Sequence, residues 1–269
     1  AMGSPIEFER KRTREDYVRD YQAGGFHNVS KGEFTDDTSM ALAMAHAFIE
    51  SQRTTGYAFD AHKIMNNFLE WRYKGKYSPR GECFDVGVIV CGALAQYKED
   101  RSAPFAGSTH PMSAGNGGLM RLAPAVIAAR TKEEALIFAK ESTRLTHGAE
   151  EALMYSEMFA EEMWEGRVLP KYASYRHPLD IDRKDIMSGG YVKETYQAAW
   201  WAYQTTESFE DCIIEAINLG HDSDTTGAVA GMIAGRMYGF DSVPKWMVEE
   251  LQWSEHLIDT AKQLMPTRQ

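Results

Sequence analysis

Apolar residues along the chain recur at intervals of three and four. That spacing predicts helices over 38–51, 59–73, 84–99, 118–129, 132–143, 149–164, 192–205, 209–219, 225–238 and 244–263. No run alternates apolar and polar residues as a half-buried strand would. Several starts carry end signals. Thr131 is followed by Glu134 and Ser208 by Asp211, a capping side chain with an acid three residues on, and Pro244 stands where a first helical turn begins. The longest stretches without a period are 101–117 and 165–190. In a compact helical protein such stretches are expected as binding loops or lids. No low-complexity linker and no internal repeat interrupts the pattern, so the expectation is one all-α domain over 1–269.

Composition narrows the partners. A 43% hydrophobic content supplies an ordinary globular core, and a formal net charge of -10 argues against nucleic-acid surfaces and anionic membranes, both of which select a clustered basic face. Any anionic ligand must then be gripped locally. Cys83, Cys91 and Cys212 lack CxxC spacing and sit in or beside apolar segments, which speaks against a disulfide framework or a zinc knuckle and for a reducing, cytoplasmic setting. No stretch reaches the roughly 18 uncharged apolar residues of a membrane span, and the N-terminus has no secretory pattern.

Two short stretches carry the chemistry. Thr35-Asp36-Asp37-Thr38 and Asp222-Ser223-Asp224-Thr225-Thr226 each crowd oxygen-bearing side chains against the start of a predicted apolar helix. A helix needs one capping side chain, and first-turn acids are favoured by the dipole, so capping explains part of each cluster but not the surplus. If the two helix starts meet, they supply an all-oxygen shell for hard divalent cations. Mg²⁺ or Mn²⁺ suits such a shell better than Zn²⁺ or copper, because no cysteine is near and only His221 adjoins. The offsets do not match an EF-hand. Gly227, Gly231 and Gly235 then recur on one face of the following helix, which lets a neighbouring element approach closely.

TDDT before a helix, then Ser113-Ala114-Gly115-Asn116-Gly117-Gly118-Leu119-Met120-Arg121-Leu122-Ala123-Pro124, then HDSDTTGAVAG, in that order, resemble the ADP-ribosylglycohydrolase family over nearly the whole chain. The resemblance implies a compact all-α hydrolase with two Mg²⁺ or Mn²⁺ ions on Thr35, Asp36, Asp37, Asp222, Asp224 and Thr225, with Asp224 as the bridging carboxylate. Gly3-Ser4-Pro5-Ile6-Glu7-Phe8 is similar to the family's G-x-P-x-E-F, which makes Glu7 the implied catalytic acid or base. The family places a helix before this motif. Here only Ala1 and Met2 stand there, so either a native helix is missing or the opening AMGS is a scar that mimics the motif.

The same resemblance implies that Asp85 faces the scissile ribose or its leaving group. It implies further that Ser113, Gly115, Asn116 and Gly117 form a phosphate loop, and that His147 borders the ribose-phosphate. Glycine-rich backbone before a helix start is also how a protein without a basic face holds a pyrophosphate. Tyr191 is placed to stack on a base, whereas Trp200, Trp201 and Tyr203 read as core. The expected reaction is removal of ADP-ribose from a modified protein side chain, arginine before serine or O-acetyl-ADP-ribose, with an ADP-ribosylated protein and ADP-ribose as partners. Two rival readings stay open: a non-catalytic ADP-ribose reader or toxin-occluding relative, and a two-metal phosphohydrolase.

Overall fold

The computed structural model describes residues 1–266. Among them eleven α-helices follow in order: α1 (Asp36–Thr55), α2 (Ala61–Lys74), α3 (Val88–Glu99), α4 (Ala123–Ala128), α5 (Lys132–Arg144), α6 (Glu150–Glu165), α7 (Val192–Gln204), α8 (Phe209–Ile217), α9 (Ser223–Tyr238), α10 (Lys245–Glu249) and α11 (Ser254–Leu264). Short 3-10 turns fill the connections, and β-pairing among the described residues is limited to isolated bridges such as Gly115 with Tyr191. No helix among them is long and apolar enough to cross a membrane.

The apolar stripes meet in two cores. Met40, Met44, Phe48, Phe68, Trp71 and Phe138 knit α1, α2 and α5 together. Tyr155, Phe159, Tyr196, Trp200, Ile214 and Ile233 do the same for α6 to α9. Trp200 is fully buried, and enclosing a side chain of that size stabilises by about 2–3 kcal/mol, so it belongs to the core as its spacing predicted. The 3-10 turn Asn116–Arg121 wedges between the two cores and touches α1, α5, α6, α7 and α9. Its Arg121 is 1% exposed and donates to the carbonyls of Gly117 (2.5 Å) and Ser142 (3.2 Å) and to Thr146 Oγ1 (2.7 Å), which makes it a strut for the loop. The small face of α9 meets α8 as expected. A Cβ built on Gly227 would lie 2.8 Å from Ile217 Cγ2, whereas at Gly231 and Gly235 the neighbouring side chains stand 3.5 and 3.9 Å away. Only the first of the three glycines is therefore forced by contact.

Three of the predicted helices end differently, each for a local reason. The one expected over 84–99 begins at Val88, because Asp85 is held in a left-handed conformation (φ 49°) that an α-helix excludes. The one expected over 118–129 divides into the 3-10 turn and α4, where Pro124 enters without an N–H for the preceding turn. The one expected over 244–263 breaks into α10 and α11. There Trp253 turns left-handed (φ 60°), the amide of Gln252 bonds the Gly32 carbonyl (3.0 Å), and Trp253 packs edge-on to Phe34.

Candidate active site

Capping can be separated from chemistry by where the side chains point. Asp60, Thr131 and Ser208 each accept the backbone N–H three residues on and so close the first turns of α2, α5 and α8. Thr35 and Asp222 hold the same position on α1 and α9, yet neither side chain makes a capping bond. Thr35 Oγ1 lies instead 3.0 Å from Asp37 Oδ2 and 2.8 Å from Asp224 Oδ2. The two helix starts therefore meet, and a single hydroxyl is shared between acids from the two ends of the chain.

Around that hydroxyl the acids are buried and crowded. Glu7, Asp36, Asp37 and Asp224 are each under 10% exposed, and Asp37 Oδ1 and Glu7 Oε2 find no hydrogen-bond partner among the described residues. Burial first, then the neighbouring carboxylates, drives the pKa values up. Asp36 and Asp37 rise well above the usual carboxylate range, Glu7 to about 10 and Asp85 to about 7. Asp222 is raised to about 6 by burial and Asp224, and the hydrogen bond from Asn116 pulls it back. Such a cluster holds either protons or cations.

Glu7 is tied down from both sides. Ser223 Oγ donates to the Gly3 carbonyl (2.9 Å), and the Ser4–Ile6 turn follows directly. On the other side the Phe8 amide bonds the His221 carbonyl (2.7 Å) and the His221 amide bonds the Glu9 carbonyl (2.8 Å). Its carboxylate stands in two groups of mutually close ligand atoms, one with Asp222 and Asp224 and one with His27 and Asp85. His27 Nε2 lies 3.3 Å from Glu7 Oε2 and 3.4 Å from Asp85 Oδ1. Burial lowers the His27 pKa from its ordinary value, with Asp224 opposing the shift.

The glycine-rich loop joins this centre through Asn116. Its Nδ2 donates to Asp222 Oδ2 (2.7 Å) and Thr195 Oγ1 (2.8 Å), while its own amide bonds the Gly190 carbonyl (3.0 Å). Gly117 and Gly118 open the 3-10 turn, where leading N–H groups have no partner within the helix. His147 backs the loop, with its Cε1 2.8 Å from where a Gly117 Cβ would stand. It is 2% exposed and pairs through Nδ1 with Thr146 Oγ1 (2.8 Å), and burial, aided by Arg121, lowers its pKa to about 3. His147 is thus a neutral support beneath the loop. Ser113 turns aside, its Oγ 3.0 Å from Ser108 Oγ.

The ADP-ribosylglycohydrolase family profile matches residues 1–269. The chain belongs to the ADP-ribosylglycohydrolase family. It is similar to the "ADP-ribosylarginine hydrolase Tri1" of Pseudomonas putida (strain GB-1), at 33% identity over 98% of this chain and 74% of that protein. It is also similar to the "ADP-ribosyl-[dinitrogen reductase] glycohydrolase" of Rhodospirillum rubrum, at 27% identity over 93% and 85%. A solved structure titled "ADP-ribosylglycohydrolase-related protein complex" superposes with a TM-score of 0.81 at 33% identity, covering 98% of this chain and 92% of that one. The protein is therefore a glycohydrolase enzyme, and the all-α fold and the expected family both hold.

Of the residues singled out from this glycohydrolase's sequence, the fold gathers Glu7, Thr35, Asp36, Asp37, Asp85, Asp222, Asp224 and Thr225 about one centre. Asn116 reaches it, and Gly115, Gly117 and His147 form the adjoining wall. His27 and Thr195 carry no such mark in the sequence. The Gly24-Gly25 pair before His27 signals a turn, but a turn does not tell which way the imidazole faces.

Proposed function

We propose that this glycohydrolase removes ADP-ribose from arginine side chains of a modified protein with the help of two divalent cations, Mg²⁺ or Mn²⁺. One observation carries the reading: carboxyl groups from both ends of the chain are buried together with oxygens that no protein donor satisfies. Thr35, Asp36, Asp37, Asp222, Asp224 and Thr225 would hold the ions. They offer oxygen alone, and burial first, then the neighbouring carboxylates, raises the pKa values of acids that such ions would neutralise. When bound, the ions supply charge compensation, grip ribose hydroxyls and make a water more acidic.

The chain's own groups account for the rest. In hydrolysis the bond from C1″ to the guanidino nitrogen breaks, water oxygen bonds C1″, and one proton passes from water to the leaving guanidine. Glu7 is the proton carrier. It is rigidly held, buried, and within reach of the same centre as Asp222 and Asp224. Asp85 lies beside His27, as Glu7 does, and would accept guanidinium N–H groups in a charge-assisted pair, which a serine hydroxyl would not offer. The amides of Gly115, Gly117 and Gly118 would meet the pyrophosphate, that of Asn116 being bonded to the Gly190 carbonyl, and Tyr191, 38% exposed and bridged to Gly115, is available to stack on adenine. The 33% identity to a protein named an ADP-ribosylarginine hydrolase supports arginine as the acceptor.

The test is release of free ADP-ribose from arginine-ADP-ribosylated protein, with serine-ADP-ribosylated protein in parallel, each with Mg²⁺ and with EDTA. The expected outcome is Mg²⁺-dependent release from the arginine substrate. Release of AMP or phosphate instead would place the chain among phosphohydrolases, and binding of ADP-ribose without turnover would make it a reader.

A further inference from the structure

Beside the oxygen-only centre the fold builds a second constellation of different chemistry. Glu7 comes from the N-terminal turn, His27 from the Gly24–Val29 loop and Asp85 from the loop before α3. One ligand atom from each lies within 4.8 Å of the other two. Glu7 is more than nine-tenths buried, and the oxygen it turns toward His27, Oε2, has no hydrogen-bond partner among the described residues. His27 Nε2 has none either. Buried polar atoms are nearly always satisfied, and these two stand 3.3 Å apart without completing a hydrogen bond.

The distances suit one kind of occupant. Charge-assisted N–H···O contacts settle at about 2.7–2.9 Å. The separations here, 3.3 Å from His27 Nε2 to Glu7 Oε2 and 3.4 Å to Asp85 Oδ1, are longer. They match the edges of a tetrahedron around a cation with bonds of about 2.0–2.1 Å, which are about 3.3–3.4 Å long. One imidazole with two carboxylates is a donor set for a borderline divalent ion and not for Mg²⁺.

The supports are those of a built site. Arg80 forks onto Glu33, Nε to Oε1 at 2.9 Å and Nη2 to Oε2 at 2.8 Å, and its Nη1 donates to the His27 carbonyl (3.2 Å). The His27 ring is flanked by Phe8, Phe26 and Phe84, with centroids 6.1, 5.0 and 5.9 Å away. An apolar collar and a secured backbone fix a ligand's orientation and limit water around it. Phe26 and Phe8 are otherwise unusual, being 76% and 60% exposed while stacked edge to face at 5.1 Å.

We propose that Glu7, His27 and Asp85 form a separate site for one Zn²⁺-class ion, distinct from the Thr35, Asp36, Asp37, Asp222, Asp224 and Thr225 set. Because the site takes Glu7 and Asp85, occupancy blocks glycohydrolase turnover, so the ion is an inhibitor and the site a metal-sensing brake.

The experiment is equilibrium binding of Zn²⁺ to the whole protein kept in excess Mg²⁺, read by competition with a chromogenic chelator, for wild type, His27→Phe and Asp85→Asn. His27→Phe keeps a ring inside the aromatic collar while removing the nitrogen. Thermal unfolding in Mg²⁺ checks that both variants fold. One Zn²⁺ per chain in wild type, weakened at least about tenfold in both variants, is expected, since losing one outer or inner ligand weakens sites on that scale. No Zn²⁺ retained in the presence of Mg²⁺, or binding unchanged in folded His27→Phe, overturns the proposal. These readouts do not depend on turnover. A wild type that binds Zn²⁺ in this way but is inactive on ADP-ribosyl-arginine would therefore count against the proposed reaction and leave the zinc site standing.

Discussion

Two regions of this glycohydrolase bury carboxylates, and they do so in opposite ways. Glu162 on α6 is fully buried, and its oxygens meet Arg176 Nη1, the Tyr196 hydroxyl (2.6 Å) and the Leu169 amide (3.2 Å). Arg176 in turn donates to the Leu169 carbonyl (2.8 Å) and lies over Trp200. Burial raises the Glu162 pKa, and Tyr196 and Arg176 hold it down. At the junction of α1 and α9 Asp36, Asp37, Asp222 and Asp224 stand together, and among the described residues none of them forms a salt bridge with arginine or lysine; Arg121 acts on Asp36 only through its field, and Asp37 Oδ1 has no hydrogen-bond partner. Desolvating a charge costs several kcal/mol in both places. Where the chain provides the counter-charge, the carboxylate fastens helices together. Where no such ion pair forms, the carboxylates stay crowded and partly unsatisfied, as the proposed cation site requires.

The comparison breaks hardest at Asp224. Asp224→Ala removes the acid that Thr35 links to α1 and is expected to cut metal-dependent ADP-ribose release at least about 10³-fold with the fold retained, measured by chromatography of free ADP-ribose. Activity within tenfold of wild type would refute the shared centre. At the other region Arg176→Met strands a buried charge and should cost about 3–5 kcal/mol, a Tm drop of roughly 6–15 °C by calorimetry. A variant as stable as wild type would show that Glu162 needs no counter-charge.

pH separates the regions next. Asp222 and Asp85 are raised to about 6 and about 7, whereas unfolded aspartate titrates near pH 4. The folded state thus holds protons that the unfolded state has released. In EDTA their contribution to stability is present below about pH 4 and is lost as pH rises through 6 and 7. On the proposed cation reading Mg²⁺ would take the place of the proton on Asp222, so the Tm gain on adding Mg²⁺ should grow from pH 5 to pH 8. A gain that shrinks over that range would sink the cation reading. The smallest effect sharpens the contrast: Asp37→Asn relieves like-charge crowding and should raise Tm in EDTA at pH 8 by a few degrees, about 1 kcal/mol, while reducing the Mg²⁺ gain.

Much of the fold is legible in the residues because helix signals are local. The period places every long helix, and the caps at Thr131 and Ser208 close their helices as read. The differences fall where distant chain intervenes. Gly32 draws Gln252 out of the helix expected over 244–263, and Asp85 leaves the helical region for a loop that faces Glu7 and His27. Asn116 reads as one member of a phosphate loop, yet its side chain clamps Asp222, a partner 106 positions away. His27 has no signal at all, since its neighbours Glu7 and Asp85 lie in separate loops.

By itself the sequence determined the all-α class, the capped helix starts at Thr131 and Ser208, the family and the surplus of oxygen at Thr35–Asp37 and Asp222–Thr225, because periodicity, caps and motifs are written within a few residues of one another. Only the tertiary structure decided which of those oxygens remain unsatisfied and which carboxylates face one another. Desolvation and repulsion depend on three-dimensional neighbours, and those come from chain segments whose separation the sequence does not encode locally.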